Sequence, residues 1–314
     1  LTARPELRWN PIRRPIIIVG PGRTGTTFLQ RLLALDPRLR APRYWELNFP
    51  VPAPGPETDA RDPRVLQASR ELDRRHHLCP GLKVVHPMSA TAPDECLPLM
   101  DRALFNPILS AWFDAPEYLD WTLSADHSRV VRRYLYHRTQ MQLLQGRYAP
   151  RRWVLKAPVH GFFLRAMAQV YPDASFVVTH RDRSVVMGSL CSLVAVVRGL
   201  FHGRVDLEAV GRLGTRLSEV RSRRLNDALG TPRSEQVVRL QYEDLVLQTL
   251  GTLRRIYPQL GLRFPEGHGE VVERFLAAQR CGHHTRHSYD LSMFGLQDTW
   301  TDEEAWTDSM ALSV

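Results

Sequence analysis

Short apolar runs alternate along the chain with longer stretches of helical periodicity. The first run, Pro15-Ile-Ile-Ile-Val19, is β-branched throughout after its proline, the pattern of a strand covered on both faces. A glycine-rich turn, Gly20-Pro-Gly-Arg-Thr-Gly-Thr-Thr27, leads into Phe28-Leu-Gln-Arg-Leu-Leu-Ala-Leu35, where apolar residues recur at helical spacing until Asp36-Pro37. Further strands are predicted at Leu82-Lys-Val-Val85, Trp153-Val-Leu-Lys156, Ser175-Phe-Val-Val-Thr179 and Gln236-Val-Val-Arg-Leu240. Helices are predicted over 64–78, 126–145, 159–170, 183–200, 206–229, 243–257 and 267–280, with short helices across 93–122 and a Pro-rich surface loop at 50–63. Strands alternating with helices predict an α/β fold, a P-loop-type central parallel sheet flanked by helices. Residues 1–14 read as a polar arm and 15–314 as a single α/β domain.

Composition narrows the class. With 43% hydrophobic and 24% charged residues in 314, wholesale disorder and collagen-like repeats are excluded. No uninterrupted run of about 18 apolar residues occurs, so no spanning helix and no stable membrane insertion is expected; the expected location is cytoplasmic. A net charge of +9 suits an anionic ligand, but the basic residues are spread along the chain and form no tail. Of 42 basic residues only Lys83 and Lys156 are lysines, which singles both out. Cys79, Cys96, Cys191 and Cys281 make no C-x-x-C pair, and His283, His284 and His287 make no H-E-x-x-H pattern. Reduced, buried thiols and no metal are therefore expected.

A strand, a glycine-rich turn and a helix in that order form a phosphate cradle: glycines let the backbone approach an oxyanion, and the helix start presents free N–H groups. Gly20 and Gly25 have the outer spacing of the nucleotide-triphosphate loop G-x-x-x-x-G-K-[ST], but Thr26 stands in the lysine position and the positive charge comes earlier, as Arg23. The loop is built for an anion and fits ATP with magnesium poorly. A second anion site is predicted where Phe176-Val-Val-Thr-His-Arg-Asp182 ends a strand, with Ser189 on the following helix. Arg181 and Ser189 lie a little over two helical turns apart and converge only on a ligand running along the helix flank. Read singly, a structural turn, a salt-bridged arginine and a helix serine are the bland alternatives.

Together these residues resemble the sulfotransferase family that uses PAPS (3′-phosphoadenosine 5′-phosphosulfate). Pro21-Gly-Arg-Thr-Gly-Thr-Thr27 is similar to the family's 5′-phosphosulfate loop, P-[KR]-[ST]-G-T-T, and Arg181 with Ser189 to its 3′-phosphate motif. Trp153-Val-Leu-Lys-Ala-Pro-Val-His160, Pro93-Asp-Glu95 and Phe294-Gly-Leu296 resemble a broad bacterial branch. Gly22 departs from it, standing where a proline usually precedes the arginine. The resemblance implies a sulfotransferase-like fold over roughly 14–297. It also implies that Arg23, Thr24, Gly25, Thr26 and Thr27 bind the 5′-phosphosulfate, that Phe28 lies beneath the adenine, and that Arg181 and Ser189 hold the 3′-phosphate. Arg286, in the place of a late cofactor-covering loop, is a further phosphate contact by the same analogy. Sulfuryl transfer needs no bridging metal, which accounts for the missing lysine.

The acceptor hydroxyl needs a general base. Glu46, in Tyr44-Trp-Glu-Leu-Asn-Phe49, follows the first helix as the catalytic glutamate does in carboxylate-using branches, and is the first choice against a structural salt bridge. His86, at a predicted strand end, is the second. Asp94 and Glu95 open a predicted helix, where acids are favoured anyway. His160 lies four residues past Lys156, whereas other branches place a catalytic histidine two past it, at Pro158 here. Lys156 matches a family lysine that steadies the leaving phosphate or the sulfuryl oxygens. The implied acceptor is a hydroxylated, or less readily an aminated, small molecule of apolar or lipid-like character. A helical insertion over 44–150 would hold it, lined by Trp45, Phe49, Phe105, Trp112, Phe113 and Tyr118. The alternatives are a P-loop kinase or NTPase and a basic nucleic-acid binder; no nucleic-acid module is recognisable, so nucleic acid is not an expected partner.

Overall fold

The computed structural model describes residues 10–55, 61–146, 148–229, 236–280 and 290–297. Five parallel strands, β1 (Ile16–Val19), β2 (Leu39–Arg40), β3 (Arg152–Lys156), β4 (Ser175–His180) and β5 (Val237–Gln241), form a sheet in the order β2-β3-β1-β4-β5. Between them run α1 (Thr26–Leu33), α2 (Tyr44–Asn48), α3 (Pro63–Leu78), α4 (Pro80–Val85), α5 (Leu97–Asp101), α6 (Leu109–Phe113), α7 (Pro116–Leu123) and α8 (His127–Gln145). Then follow α9 (Leu164–Val170), α10 (Arg183–His202), α11 (Leu207–Ala228), α12 (Tyr242–Leu247), α13 (Thr249–Gln259) and α14 (His268–Arg280).

The sheet alternation divides the core. Ile17 and Val19 of β1 face a core shared with α8, α9, α10 and α11, while Ile16 and Ile18 face a second one closed by α1, α13 and α14. Every residue of β1 is fully buried, as its unbroken apolar run requires of a central parallel strand. Asp62, Asp126, Asp182 and Asp206 cap α3, α8, α10 and α11, each accepting a hydrogen bond from a first-turn N–H.

Several elements differ from the sequence reading. Leu82–Val85 is not a strand but the end of α4: Pro80 at the first helical position presets the helical φ, and the His86 N–H closes the turn on the Leu82 carbonyl at 2.8 Å. The helix predicted over 159–170 begins as a 3-10 turn, Pro158–Phe162, before α9. The one over 243–257 breaks at Gln248 into α12 and α13. Two-residue β2 is too short to leave a periodic signal. The described end of the N-terminal arm is packed: Ile12 is buried in the first core, and the Arg14 N–H donates to Asp173 at 2.8 Å.

The expectation of no spanning-length helix is corrected as well. The 20-residue α10 is long and apolar enough by length and composition, because Gly188 and Ser192 interrupt its apolar run without making it polar. In this fold it is a core helix. Met187, Cys191 and Val194 enter the first core, and buried Arg198 donates to the Ala111 carbonyl at 2.7 Å and pairs with Asp114 at 2.8 Å. A Cβ on Gly211 of α11 would collide with the Phe294 carbonyl, so glycine is what lets the 3-10 turn Leu291–Phe294 sit on α11. Gly211→Ala is expected to cost roughly 1–3 kcal/mol in denaturant unfolding, the range for an overpacked contact; an unchanged midpoint would show that the turn is not seated there.

Candidate active site

Parallel pairing puts the C-terminal ends of all five strands at one edge, and the chemistry-bearing residues gather there. The loop Gly20–Gly25 leaves β1, Lys156 closes β3, Arg181 follows β4, and Tyr242 follows β5. In the loop, Arg23 and Gly25 both adopt left-handed backbone, with φ 74° and 78°. Gly25 does so at no steric cost, whereas at Arg23 the conformation is strained, as recurs at ligand-holding turns. Gly25 is also the N-cap of α1 and supplies no capping side chain, so the first-turn N–H groups stay available to an anion. A Cβ on Gly20 would strike the Thr179 hydroxyl, which fixes how closely the loop lies against β4.

The loop threonines divide their work. Thr24 is buried, its hydroxyl donating to the Pro21 carbonyl at 2.7 Å and lying 2.6 Å from the Thr179 hydroxyl, so its side chain holds the loop. Thr26 is buried at the helix start, and the Thr27 hydroxyl accepts from Lys156 Nζ at 3.0 Å. Arg23 Nε donates to Ser189 Oγ at 2.7 Å, and Arg181 Nη1 donates to the Arg23 carbonyl at 3.0 Å. The first turn and the β4–α10 junction are thus one continuous basic surface. Sequence reasoning missed Tyr242, whose ring lies 3.8 Å beneath the Arg181 guanidinium; its position directly after a parallel strand was the available signal. Half-buried Phe28 stacks on Phe275 of α14 at 6.4 Å. Arg286 and the three late histidines lie outside the described residues.

Among the acids, the structure separates two roles. Glu95 Oε1 accepts from Lys156 Nζ at 2.7 Å, and Glu95 Oε2 has no hydrogen bond among the described residues. Burial pushes the Glu95 carboxyl up, but the Lys156 ammonium and His86 outweigh it and hold it below the usual glutamate range. Asp94, beside it, is raised by burial against the pull of Lys156 and His86. His86 is lowered by burial, partly offset by Glu95 and Asp94. Glu46 is elsewhere engaged. Its side chain is fully buried, with Oε1 accepting from Arg40 at 2.5 Å and Arg43 at 2.9 Å, and Oε2 from the Arg43 N–H at 2.9 Å. That is a structural ion pair around the start of α2, the opposite of an open base. His160 is also fully buried, with Nδ1 on the Tyr134 hydroxyl at 3.1 Å, and burial holds it well below the usual histidine range.

The uncapped glycine turn, the basic surface joining it to the next strand end and the lysine–glutamate pair at its rim all lie in a stretch similar to known proteins. A model of the sulfotransferase family matches residues 15–266. The chain belongs to the sulfotransferase family. It is 30% identical over 273 residues to the omega-hydroxy-beta-dihydromenaquinone-9 sulfotransferase Stf3 of Mycobacterium bovis, covering 84% of this chain and 66% of that protein. The crystal structure of sulfotransferase STF1 from Mycobacterium tuberculosis superposes with a TM-score of 0.80 at 32% identity, over 94% of this chain and 77% of that one. STF9 from Mycobacterium avium gives 0.82 at 27%, over 94% and 76%. Both carry the α/β sulfotransferase fold, and the chain spans just under two thirds of the Stf3 length.

In this family member the helices between β2 and β3 flank the edge where the site lies, but the six aromatics do not act together. Trp45 and Phe105 are fully buried core residues, Trp45 between the Arg43 and Arg64 guanidiniums, because large aromatics fill cores before they line clefts. The Tyr118 hydroxyl accepts from the Asn106 N–H at 3.0 Å. Phe49 and Trp112 are half-buried, and exposed Phe113 packs on Phe201 of α10 at 4.8 Å. The pair at the site rim gives a direct test. Lys156→Met strands Glu95 against buried surroundings and is expected to cost about 3 kcal/mol in denaturant unfolding, while Lys156→Met with Glu95→Gln recovers about half of it. Additive losses in that cycle would show the two side chains to be uncoupled.

Proposed function

We propose that the chain moves the sulfuryl group of PAPS onto a hydroxyl of an apolar, lipid-like small molecule. The observation that carries this reading is the continuity of Arg23, Ser189 and Arg181 with the uncapped start of α1, because a nucleotide with anionic groups at two places needs both on one surface. PAPS supplies a sulfuryl group on a 5′-phosphate and a second phosphate at the 3′ position. The first-turn N–H groups of α1 with Thr26 and Thr27 take the 5′ end, and Arg181 with Ser189 takes the 3′-phosphate. Arg23 spans the two, Tyr242 backs the Arg181 guanidinium, and Phe28 lies where an adenine would stack.

Lys156 stands between Thr27 of the cradle and Glu95 at the rim. Its ammonium offsets negative charge on the sulfuryl oxygens and the departing phosphate. Glu95 is the base: it is held ionised, its Oε2 is open, and it is joined through Lys156 to the loop that holds the donor. As the acceptor oxygen bonds to sulfur, the sulfur–oxygen bond to the 5′-phosphate breaks, Glu95 receives the hydroxyl proton, and adenosine 3′,5′-bisphosphate leaves. The acceptor class follows from the resemblance to a protein named for an omega-hydroxy-dihydromenaquinone, a hydroxyl on a largely apolar molecule.

Calorimetry with adenosine 3′,5′-bisphosphate tests the donor half. The wild-type chain should bind it, and Arg23→Ala and Arg181→Ala should each weaken binding about tenfold or more, roughly 1.4 kcal/mol; no binding by the wild type ends the proposal. For the chemical step, Glu95→Gln should retain bisphosphate binding and lower kcat with a hydroxylated isoprenoid quinol about a hundredfold. Glu46→Gln should instead lower the unfolding midpoint and leave kcat per folded molecule near wild type. The reverse pattern would move the base to Glu46. Because Glu95 is held below its ordinary 4.5, the acid limb of the wild-type kcat profile should lie below that value, provided the chain stays folded; a limb above 4.5 but short of the ordinary histidine 6.5, from which burial lowers His86, would assign the proton to His86.

A further inference from the structure

Beneath the site lies a polar cluster that the transfer reaction does not use. Cys96 stands just before α5, His137 midway along α8, and His160 in the 3-10 turn after β3; all three are fully buried. The Cys96 Sγ and one ring nitrogen from each histidine all lie within 4.8 Å of one another. Each imidazole is fixed through its other nitrogen: His160 Nδ1 on the Tyr134 hydroxyl at 3.1 Å, and His137 Nδ1 on the Tyr171 hydroxyl at 2.8 Å. Both Nε2 atoms are buried without a hydrogen-bond partner. An orphaned polar atom in a core costs about 1–3 kcal/mol, and two on neighbouring rings, set edge to face at 5.6 Å beside a thiol, call for a common occupant.

We infer that Cys96, His137 and His160 form a binding site for a soft d10 metal ion, Zn²⁺ or Cu⁺. The donor set decides the class. A thiol with two imidazoles and no carboxylate selects thiophilic ions and disfavours magnesium or calcium. Outer hydrogen bonds from Nδ1 to tyrosine hydroxyls are the arrangement that fixes a ligating ring and turns its Nε2 lone pair inward. Burial holds His137, lowered to about 3, in the neutral form a ligand must have. The Cys96 thiol, pushed up to about 12 by burial, gives up its proton to solvent as sulfur bonds the cation, so loading releases one proton and oxidises nothing. Zinc bonds of about 2.0–2.3 Å require the three donors to draw together by up to roughly an ångström. With all three closed off from solvent, the ion would enter as the chain folds.

The consequence for the enzyme is positional. Cys96 directly follows Glu95, and its N–H donates to the Lys156 carbonyl at 2.8 Å, while His160 lies on the turn that Lys156 leads into. An ion here would pin the two backbones that carry the Glu95–Lys156 pair without touching any reacting atom. It is independent of which nucleotide the site binds.

The full chain, produced without a metal-chelating tag in separate zinc-, copper- and cobalt-supplemented cultures and dialysed against a weak chelator, tests this by elemental mass spectrometry. Roughly one zinc or copper per chain is expected, with whichever of the two is retained identifying the ion, and the cobalt form should show a thiolate-to-cobalt charge-transfer band. Cys96→Ser and His137→Gln should each lower the retained metal at least tenfold. Should those variants fail to fold, the wild-type cobalt spectrum decides alone. Less than about a tenth of an ion per chain, a cobalt spectrum lacking the thiolate band, or metal unchanged in the folded variants would overturn the assignment and leave the cluster as a pocket for internal water.

Discussion

A lysine ammonium cannot be left alone in a protein core, and much of this site follows from where Lys156 finds its partners. It is 1% exposed at the end of β3, where a lone charge would cost several kcal/mol. Glu95 and the Thr27 hydroxyl meet that need from two different directions, one from the segment before α5, the other from the first turn of α1. Satisfying one cation therefore sets the distance between the anion-holding loop and the acid. The adjoining backbone carries the same constraint, since the Cys96 N–H bonds to the Lys156 carbonyl and the buried Gln30 side chain bridges the Asp94 and Val154 carbonyls. The acid is placed by the core.

The sheet supplies the other constraint. With β1 at the centre and all strands parallel, successive strand ends must open toward the same edge, and the loop after each can carry a site residue without distorting the scaffold. That is why residues as far apart in sequence as Arg23 and Ser189 meet at 2.7 Å. The strain accepted at Arg23, left-handed at a non-glycine position, is held by hydrogen bonds on both sides of the residue: its side chain to Ser189 and its carbonyl from Arg181.

What the sequence carried legibly was local. The β-branched run at 16–19, the glycine turn and the helix after it form a contiguous signal, and the same holds for the β4 end with Arg181. Readings failed where tertiary packing overrode local propensity. Leu82-Lys-Val-Val85 has strand composition, yet Pro80 and the closing bond at His86 make it helix. Trp45 and Phe105 have the composition of a binding cleft and are core. The harder distinction was between acids. Glu46 lies on the short helix α2 and Glu95 in the segment before α5, each beside aromatics or prolines, and nothing local records that arginines from β2 and from the α2 cap enclose one of them while a lysine pairs with the other.

That difference in cation has a geometric consequence. In this arginine-rich chain three buried carboxylates are captured by arginine on both oxygens. Asp36 accepts on both oxygens from Arg38, Asp62 on both from Arg64, and Glu46 is enclosed by Arg40 and Arg43. A fork that fills both oxygens blocks a carboxylate's approach to another ligand. An ammonium is a compact point charge; at Glu95 it takes one oxygen, keeps the group ionised and leaves the other oxygen open. An arginine at position 156 would satisfy the same charge and close the acid. In a sequence with two lysines among 42 basic residues, a lysine at this position preserves both the charge of the site and the open oxygen that the proposed base requires.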